Sequence, residues 1–448
     1  MKIHVVSLGC ARTLVDSEGL AGLLAEAGHS LTDEVKKADC VVVNTCAFIR
    51  DAEEESINTI LEVADLKKRG KLRKLYVAGC LPQKRRNEKE ELLSLLPEVD
   101  GFIGTGDMAK LPQLIEEKKE ERFFVISPVP TLLFESKTPR YGLTPKHFAY
   151  VKISEGCDHA CAFCSIPQYR GAHRSRTIED IVTQAENLAS QGVVELNLIG
   201  QDSSYYGADL YGKPRLPDLL RVLGGVSGIR WIRILYAHPA HVTDELIRAI
   251  RDLPTVAKYI DIPIQHINDE LLHKMKRETD GTYIRRLVAR FREQIPGVAI
   301  RTTFIVGFPG ETDGQTEELA EFMRETRFER VGIFPYSPEP KTSAERMPDQ
   351  VPEEVRKERL NRLMKLQQEI SAENNQKLVG KEIEVMVDEP DPSDPQVYIG
   401  RTFADAPEVD NQVFVKSAVF LSKGQFVRAK VVDSYEYDLV AEILPASQ

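Results

Sequence analysis

The sequence predicts a multi-domain α/β protein with three domains: an N-terminal parallel α/β domain at 1–117, a central partial (β/α)6 barrel at 140–372 and a small C-terminal all-β barrel at 374–444. Two observations indicate this order. Short apolar runs alternate with stretches of helical periodicity over the first two ranges, which is typical of parallel sheets. Only short strands separated by Gly, Pro, Asp and Asn follow the last charged helix, as in a small barrel.

The first domain places three cysteines just after three predicted strands. These strands are the runs IHVVSLG, CVVVNT and KLYVAG. Cys10, Cys46 and Cys80 follow them at spacings of 36 and 34 residues, about the length of one βαβ unit. Because the loops beyond the carboxyl ends of parallel strands meet in one crevice, the three thiols are expected to converge. Cys40 lies at the opposite end of its strand and is interpreted as a buried core residue.

The central domain contains six strand-like runs with amphipathic helical stretches between them, and six units predict an incomplete barrel. The segment GCDHACAFC follows the first run and holds Cys157, Cys161 and Cys164 in a C-x3-C-x2-C pattern on the catalytic rim of such a barrel. A structural zinc site would take four ligands, and no second C-x2-C pair follows, so one position is left open. His159, inside this loop, is interpreted as a loop residue and not as a ligand.

Composition limits the functions that the chain can have. No apolar run approaches the roughly 18 residues of a membrane helix, and the opening MKIHVVSLGC lacks a signal sequence, so a cytoplasmic location is expected. In that reducing compartment the seven cysteines are better explained as metal ligands or redox groups than as disulfides. A net charge of −10 argues against a protein that coats nucleic acid. The stretch 376–448 has seven basic residues against 13 acidic ones, the wrong sign for a phosphate-binding surface.

Three thiolates can hold a cubane iron-sulfur cluster and leave one iron free for a small molecule. The C-x3-C-x2-C pattern after the first strand of a partial barrel resembles the radical S-adenosylmethionine superfamily. This resemblance implies that Cys157, Cys161 and Cys164 are catalytic cluster ligands. The cluster would reduce the bound sulfonium, and the resulting 5′-deoxyadenosyl radical would abstract a hydrogen atom. The loop residues that resemble the cofactor-cradling segments are Gly200, Gln201, Gly307, Gly310 and Glu311.

A second three-cysteine domain in front and a small TRAM-like barrel behind make the chain similar to the methylthiotransferases within this superfamily. The resemblance implies two [4Fe-4S] clusters, the first of them held by Cys10, Cys46 and Cys80. It also implies two molecules of S-adenosylmethionine per product, one for the methyl group and one for the radical. An electron donor such as flavodoxin or ferredoxin is implied as a partner. The chain departs from the family at residues 11–13, which read Ala-Arg-Thr where Pro-Lys-Asn is expected.

Two substrate classes divide this family: an adenosine of transfer RNA, and the β-carbon of an aspartate in a small-subunit ribosomal protein. The segments SLGCARTLVDSE, NTCAFIRDAEEESI, ILYAHP and GRTFADAPEVDN resemble the protein-modifying branch. An acidic barrel agrees with a basic ribosomal protein as substrate, whether free or on the small subunit. Asp405, Glu408 and Asp410 are predicted to dock it.

Two alternatives stay open. The prenylated-adenosine branch would need RNA contacts, for which the basic runs KKRGKLRK and QKRRNEK are candidates, although such contacts are not expected to dominate. An electron-carrying iron-sulfur protein without a substrate would need clusters with four protein ligands. Two sets of three cysteines cannot supply those ligands.

Overall fold

The computed structural model describes residues 1–117 and 121–445 of the chain. Its N-terminal part contains one parallel sheet with the strand order β2-β1-β3-β4-β5-β6. The strands are β1 (Lys2–Ser7), β2 (Ser30–Leu31), β3 (Cys40–Thr45), β4 (Lys74–Gly79), β5 (Gly101–Gly104) and β6 (Phe123–Val125). The three strands predicted from the sequence are β1, β3 and β4, and the shorter strands beside them were missed.

Helices cover this sheet on both faces. They are α1 (Ala11–Glu26), α2 (Arg50–Lys68), α3 (Cys80–Lys84), α4 (Lys89–Leu95) and α5 (Leu111–Glu117). In β3, Val41 and Val43 pack into one apolar cluster while Val42 packs into another on the opposite face. A strand that is buried on both faces and rich in β-branched residues is typical of a parallel sheet between helices. The predicted α/β class of this domain is confirmed.

The central part is an incomplete barrel built from two parallel half-sheets, β11-β10-β7 and β12-β13-β14, with β11 beside β12. A short antiparallel pair, β8 with β9, follows the first strand. The strands are β7 (Phe148–Lys152), β8 (Ser154–Glu155), β9 (Arg174–Ser175), β10 (Glu195–Ile199), β11 (Trp231–Ile234), β12 (Tyr259–Asp261), β13 (Ala299–Val306) and β14 (Arg330–Pro335). Six parallel strands in this arrangement confirm the predicted (β/α)6 architecture.

Amphipathic helices lie outside the barrel and share its apolar core. Thr177, Thr243 and Asp280 cap three of them by accepting backbone N–H groups, and such a cap stabilises a helix by about 1 kcal/mol. The helices are α6 (Ile166–Arg170), α7 (Ile178–Ser190), α8 (Ala208–Tyr211), α9 (Leu216–Leu223), α10 (Asp244–Asp252), α11 (Asp269–Lys274), α12 (Gly281–Gln294) and α13 (Asp313–Thr326).

A long charged helix, α14 (Glu353–Gln376), leads into a closed five-stranded barrel with the order β15-β16-β17-β19-β18. Its strands are β15 (Glu382–Pro390), β16 (Val397–Arg401), β17 (Val413–Lys416), β18 (Phe426–Ser434) and β19 (Leu439–Ile443). The predicted all-β C-terminal barrel is confirmed. Within residues 1–117 and 121–445, no helix has both the length and the apolar character needed to cross a membrane.

Candidate functional site

The three cysteines of the N-terminal domain lie at the carboxyl edge of its parallel sheet. Cys10 directly precedes α1, Cys46 directly follows β3, and Cys80 begins α3 immediately after β4. Gly9, with φ +92°, lets the β1–α1 turn approach Cys46: a Cβ at position 9 would lie 2.4 Å from the Cys46 Cβ. The residue before the first thiol therefore has to be glycine for this turn to reach the second thiol.

The electrostatic environment of this first trio combines burial, which opposes thiolates, with two arginines, which favour them. Burial raises the pKa of Cys46, and it raises the pKa of Cys80 to about 12. Burial also raises the pKa of Cys10, but the positive charge of Arg12 and hydrogen bonds from Thr13 outweigh it and lower the value to about 7. The Arg170 guanidinium donates a hydrogen bond to the Cys80 Sγ at 3.0 Å. Both arginines stabilise thiolates, which are the form of cysteine that binds metal.

The second trio lies on the loop between β8 and α6. Backbone hydrogen bonds hold this loop, from the Cys157 N–H to the Gly171 carbonyl at 3.0 Å and from the Cys164 N–H to the Cys161 carbonyl at 3.2 Å. Burial raises the pKa of Cys157 to about 11 and that of Cys164 to about 12. The Arg277 guanidinium lies 3.5 Å from the Cys161 Sγ and can donate to it.

The donor sets of both trios fit cubane clusters. All seven cysteines of the sequence are free thiols, and the seventh, Cys40, is buried at the start of β3, at the end of the strand away from Cys46. Each trio therefore offers three thiols and leaves one iron of a cubane without a protein ligand. Charged donors already point at one sulfur of each trio, which is the usual environment of a ligating thiolate.

A buried network of four charged side chains runs from the first trio to Glu155, two residues before Cys157 of the second. The Lys152 Nζ lies 2.5 Å from Asp16 and 2.6 Å from Glu155, and the Arg170 guanidinium lies 2.6 Å from Asp16 and 3.2 Å from Glu155. The Gln201 side chain donates to Glu155 at 2.5 Å. Because Arg170 also contacts Cys80, an unbroken line of contacts runs from the first trio to the predicted cofactor loop. Two positive and two negative charges compensate one another in this buried position.

Arg12 makes a second connection between the same regions. Its guanidinium donates to the Gly200 carbonyl at 2.7 Å and lies 4.3 Å from the centre of the Tyr236 ring. Sequence reasoning noted only that position 12 departs from the family. Asp16, Lys152 and Glu155 were missed altogether, although a lysine at the end of the buried run FAYVK was a usable signal.

The predicted cofactor-cradling residues form two loops at the carboxyl ends of β10 and β13. A Cβ at Gly200 would lie 2.6 Å from the Ser154 Oγ, and one at Gly307, where φ is +69°, would lie 2.0 Å from the Arg356 Cγ. The Glu311 carboxylate accepts hydrogen bonds from the Gly307 and Phe308 amides and from Thr316. Glu311 therefore shapes its own loop, and its direct contact with a cofactor stays a prediction, as do those of Gly200, Gln201, Gly307 and Gly310.

Two of the three predicted docking carboxylates are buried, which corrects the expectation for them. Asp405 pairs with Arg330 at 3.0 Å and accepts from the Thr402 hydroxyl at 2.6 Å. Asp410 accepts from the Arg301 guanidinium at 3.1 Å and from the Tyr259 hydroxyl at 2.8 Å. These carboxylates attach the C-terminal barrel to the central domain and present no charge to a partner. Glu408 is exposed, and its docking role stays a prediction.

Three family models match consecutive parts of the chain. They are "Uncharacterized protein family UPF0004" at residues 2–104, "Radical SAM superfamily" at residues 151–323 and "TRAM domain" at residues 379–444. Solved structures that resemble the chain include TsrM, a radical S-adenosylmethionine methyltransferase from Kitasatospora setae. It has a TM-score of 0.55 at 15% identity, and the match covers 94% of this chain and 81% of TsrM. At this identity the likeness shows the fold alone.

Curated relatives are similar along almost the whole chain, and each bears the name ribosomal protein uS12 methylthiotransferase RimO. The relative from Opitutus terrae is 46% identical, with 100% of this chain and 97% of the relative covered. The relative from Anaeromyxobacter sp. is also 46% identical, with 99% of this chain and 93% of the relative covered. The one from Pelotomaculum thermopropionicum is 46% identical, with 99% of each covered. From its three matched domains and these full-length relatives, the chain belongs to the RimO-type radical S-adenosylmethionine methylthiotransferases.

Proposed function

We propose that this enzyme inserts a methylthio group at the β-carbon of an aspartate in ribosomal protein uS12, with two [4Fe-4S] clusters and two molecules of S-adenosylmethionine. The observation that supports the two-cluster arrangement is the buried series of contacts from Cys80 of the first site to Glu155, two residues before Cys157 of the second. The Arg170 guanidinium contacts the Cys80 Sγ at 3.0 Å and Glu155 at 3.2 Å, and Gln201 donates to the same carboxylate. The substrate is inferred from the names of the full-length relatives.

The residues of each trio would hold a cluster, and the neighbouring side chains would tune it. When bound, the two clusters supply the electron for the deoxyadenosyl radical and a carrier for the sulfur. Cys157, Cys161 and Cys164 would hold the cluster that supplies this electron, beside Arg277, whose positive charge lies near the Cys161 sulfur. The positive charge of Arg170 likewise lies near the Cys80 sulfur of the first trio. Charge-assisted hydrogen bonds to a ligating sulfur stabilise its negative charge.

The proposal assigns the three domains to separate tasks: cluster and sulfur carriage at 1–117, radical chemistry at 140–372 and substrate docking at 374–444. A basic ribosomal protein, free or on the small subunit, would approach the acidic C-terminal barrel, where Glu408 is exposed. The enzyme would act in the cytoplasm and take electrons from a flavodoxin or ferredoxin.

Transfer RNA is less well supported as the substrate because three lysines of the basic runs of the first domain pair with carboxylates of the same chain. Lys67 and Lys74 both pair with Asp100, at 2.5 Å and 3.1 Å. Lys84 pairs with Glu339 at 2.7 Å. These lysines face carboxylates of the same chain, so they do not form a free cationic surface for phosphates.

A competition experiment tests the substrate class. Cluster-reconstituted enzyme, S-adenosylmethionine and a reductant are incubated anaerobically with uS12 and prenylated transfer RNA together, and both products are analysed by mass spectrometry. We expect a methylthio group on a uS12 aspartate and none on the RNA. Modification of the RNA alone would overturn the proposed substrate, and Cys161→Ala enzyme serves as the inactive control.

A further inference from the structure

Three histidines and an aspartate form a compact cluster at the rim of the central barrel, next to the second cysteine trio and with none of its thiols as a member. His159 comes from the cysteine loop, Asp202 follows β10, and His238 and His241 flank the short turn Pro239–Ala240 after β11. One ligand atom from each of the four residues can be chosen so that all lie within 4.8 Å of one another. Imidazole nitrogens with one carboxylate are a donor set that binds divalent transition metals.

Two ring nitrogens converge on the same carboxylate oxygen. The His159 Nε2 lies 2.8 Å from the Asp202 Oδ2, and the His241 Nδ1 lies 2.7 Å from that oxygen. The other oxygen of Asp202 is held by the protein, since it accepts from the Ser204 hydroxyl at 2.5 Å and the Tyr205 amide at 3.2 Å. Asp202 is thus fixed by one oxygen and offers the other to both rings.

The outer nitrogens of the same two rings face a second carboxylate. The His159 Nδ1 lies 3.8 Å from Glu278, and the His241 Nε2 lies 3.9 Å from it. Metal-binding histidines commonly donate their other ring N–H to a carboxylate, which fixes the tautomer and leaves the inner nitrogen with a free lone pair. At these distances Glu278 makes no hydrogen bond to either ring, and it becomes this outer partner only when its exposed side chain moves closer to them.

His238 has a different role in the cluster. Its Nδ1 accepts the Ala240 amide at 3.2 Å, so in the neutral ring the proton is on Nε2 and no lone pair is free. The ring stacks on that of His159, with centroids 4.2 Å apart. His238 therefore supports the orientation of His159.

We propose that His159, Asp202 and His241 bind a divalent transition-metal ion such as zinc, with Glu278 as the outer partner of both rings. The ion would tie the cysteine loop to the ends of β10 and β11. The sequence predicts His159 to be a loop residue. Its partners lie 43 and 82 positions further along the chain, so no local pattern indicates the cluster. The rival explanation is a hydrogen-bond network in which both rings donate to Asp202.

Zinc loading of the cluster-reconstituted enzyme distinguishes a metal site from a hydrogen-bond network. The protein is incubated with zinc chloride and desalted, bound zinc is counted by mass spectrometry, and its ligands are identified by X-ray absorption at the zinc edge. We expect about one zinc per chain, with nitrogen and oxygen ligands at about 2.0–2.1 Å and no sulfur at about 2.3 Å. His241→Ala should reduce the zinc to background, whereas His273→Ala, an exposed histidine on α11, should retain it.

His159→Gln is a second variant, measured alongside His241→Ala in case one of the two fails to fold, and iron content shows that the clusters are still present in each. Zinc should be lost from whichever variant keeps its clusters. Failure of the wild-type enzyme to retain zinc would overturn the proposal. So would a sulfur shell around the bound zinc, which would mean that the cysteines had taken it up, or retention of zinc by a cluster-loaded variant.

Discussion

The thiols of the two trios differ in what surrounds each sulfur, and under the proposed function they have separate tasks. Cys161 faces Arg277 on a loop next to the predicted cofactor segments, whereas Cys46 lies deep in the crevice of the N-terminal sheet. Loss of one ligand from a three-ligand cluster leaves two, which is too few to hold the cubane firmly. Single substitutions should therefore disable one site at a time.

Cys161→Ala should abolish cleavage of S-adenosylmethionine, while Cys46→Ala should keep cleavage and lose methylthio insertion. Both quantities are measured in one reaction, as 5′-deoxyadenosine by chromatography and as modified uS12 by mass spectrometry. Cys40→Ala is the matched control, because this cysteine belongs to neither trio and lies within an apolar cluster. Full product from the Cys46→Ala enzyme would contradict the sulfur-carrying role of the first domain.

At the scale of elements, the buried network fixes helix α1 against strand β7. Asp16 lies on α1 and Lys152 on β7, and the distance between Lys152 and Asp16 is 2.5 Å with both side chains buried. Removing one partner of a buried charge pair leaves an uncompensated charge, at a cost of about 3–5 kcal/mol. An exposed pair such as Lys357 with Glu353 on α14 contributes little, because water screens it.

Lys152→Met should therefore lower the free energy of unfolding by about 3 kcal/mol or more, and Lys357→Met should leave it nearly unchanged. Thermal unfolding of the anaerobic, cluster-loaded enzymes measures both. Equal midpoints for the two variants would show that the network is not important for the packing of α1 on the barrel.

Strands and helices could be predicted from the sequence because their signals are local, whereas side-chain contacts between domains could not. Cys10, Cys46 and Cys80 could be placed because each follows a run of β-branched residues, and strand order was not needed. The pairing of Lys152 with Asp16 spans 136 positions and depends on how two domains pack. The burial of Asp405 against Arg330 could not be predicted either, because the number of acidic residues in a barrel does not show which carboxylates contact an arginine of another domain.

At the scale of the whole molecule, buried ion pairs attach the C-terminal barrel to the central domain. Asp388 on β15 accepts from His147 at 2.7 Å and from Arg401 at 2.8 Å. Arg401 in turn pairs with Glu195 of β10 at 2.9 Å. These contacts fix the position of the acidic barrel relative to the radical site.

The attachment should weaken in acid. Burial raises the pKa of Asp388, but hydrogen bonds and charge from His147 and Arg401 outweigh it, so the folded-state pKa lies below the ordinary value. A lowered carboxyl pKa gives stability that is present above the unfolded value of about 3.9 and is lost as pH falls through the folded one. Asp388→Asn should flatten the pH dependence of the thermal midpoint of the cluster-free chain below about pH 4. Asp394 is exposed, and Asp394→Asn should leave this pH dependence unchanged.

Substrate docking is the property that depends on the whole arrangement, and Glu408 is where it can be tested. The side chain is exposed and contacts only the Tyr150 hydroxyl, at 3.2 Å, among the contacts described for it. Reversal of an exposed charge at the rim of an interface mainly slows association and changes its salt dependence.

Glu408→Lys should raise the KM for uS12 roughly two- to fivefold at low salt, equivalent to about 0.5–1 kcal/mol, and the difference should shrink as salt is added. Cleavage of S-adenosylmethionine without substrate should not change, since the contacts described for Glu408 include neither a cysteine of the trios nor a residue of the predicted cofactor loops. Glu369→Lys, an equal change of charge on exposed α14, is the matched control. A KM that rises equally in both variants would mean that net charge, and not the surface around Glu408, attracts the basic substrate.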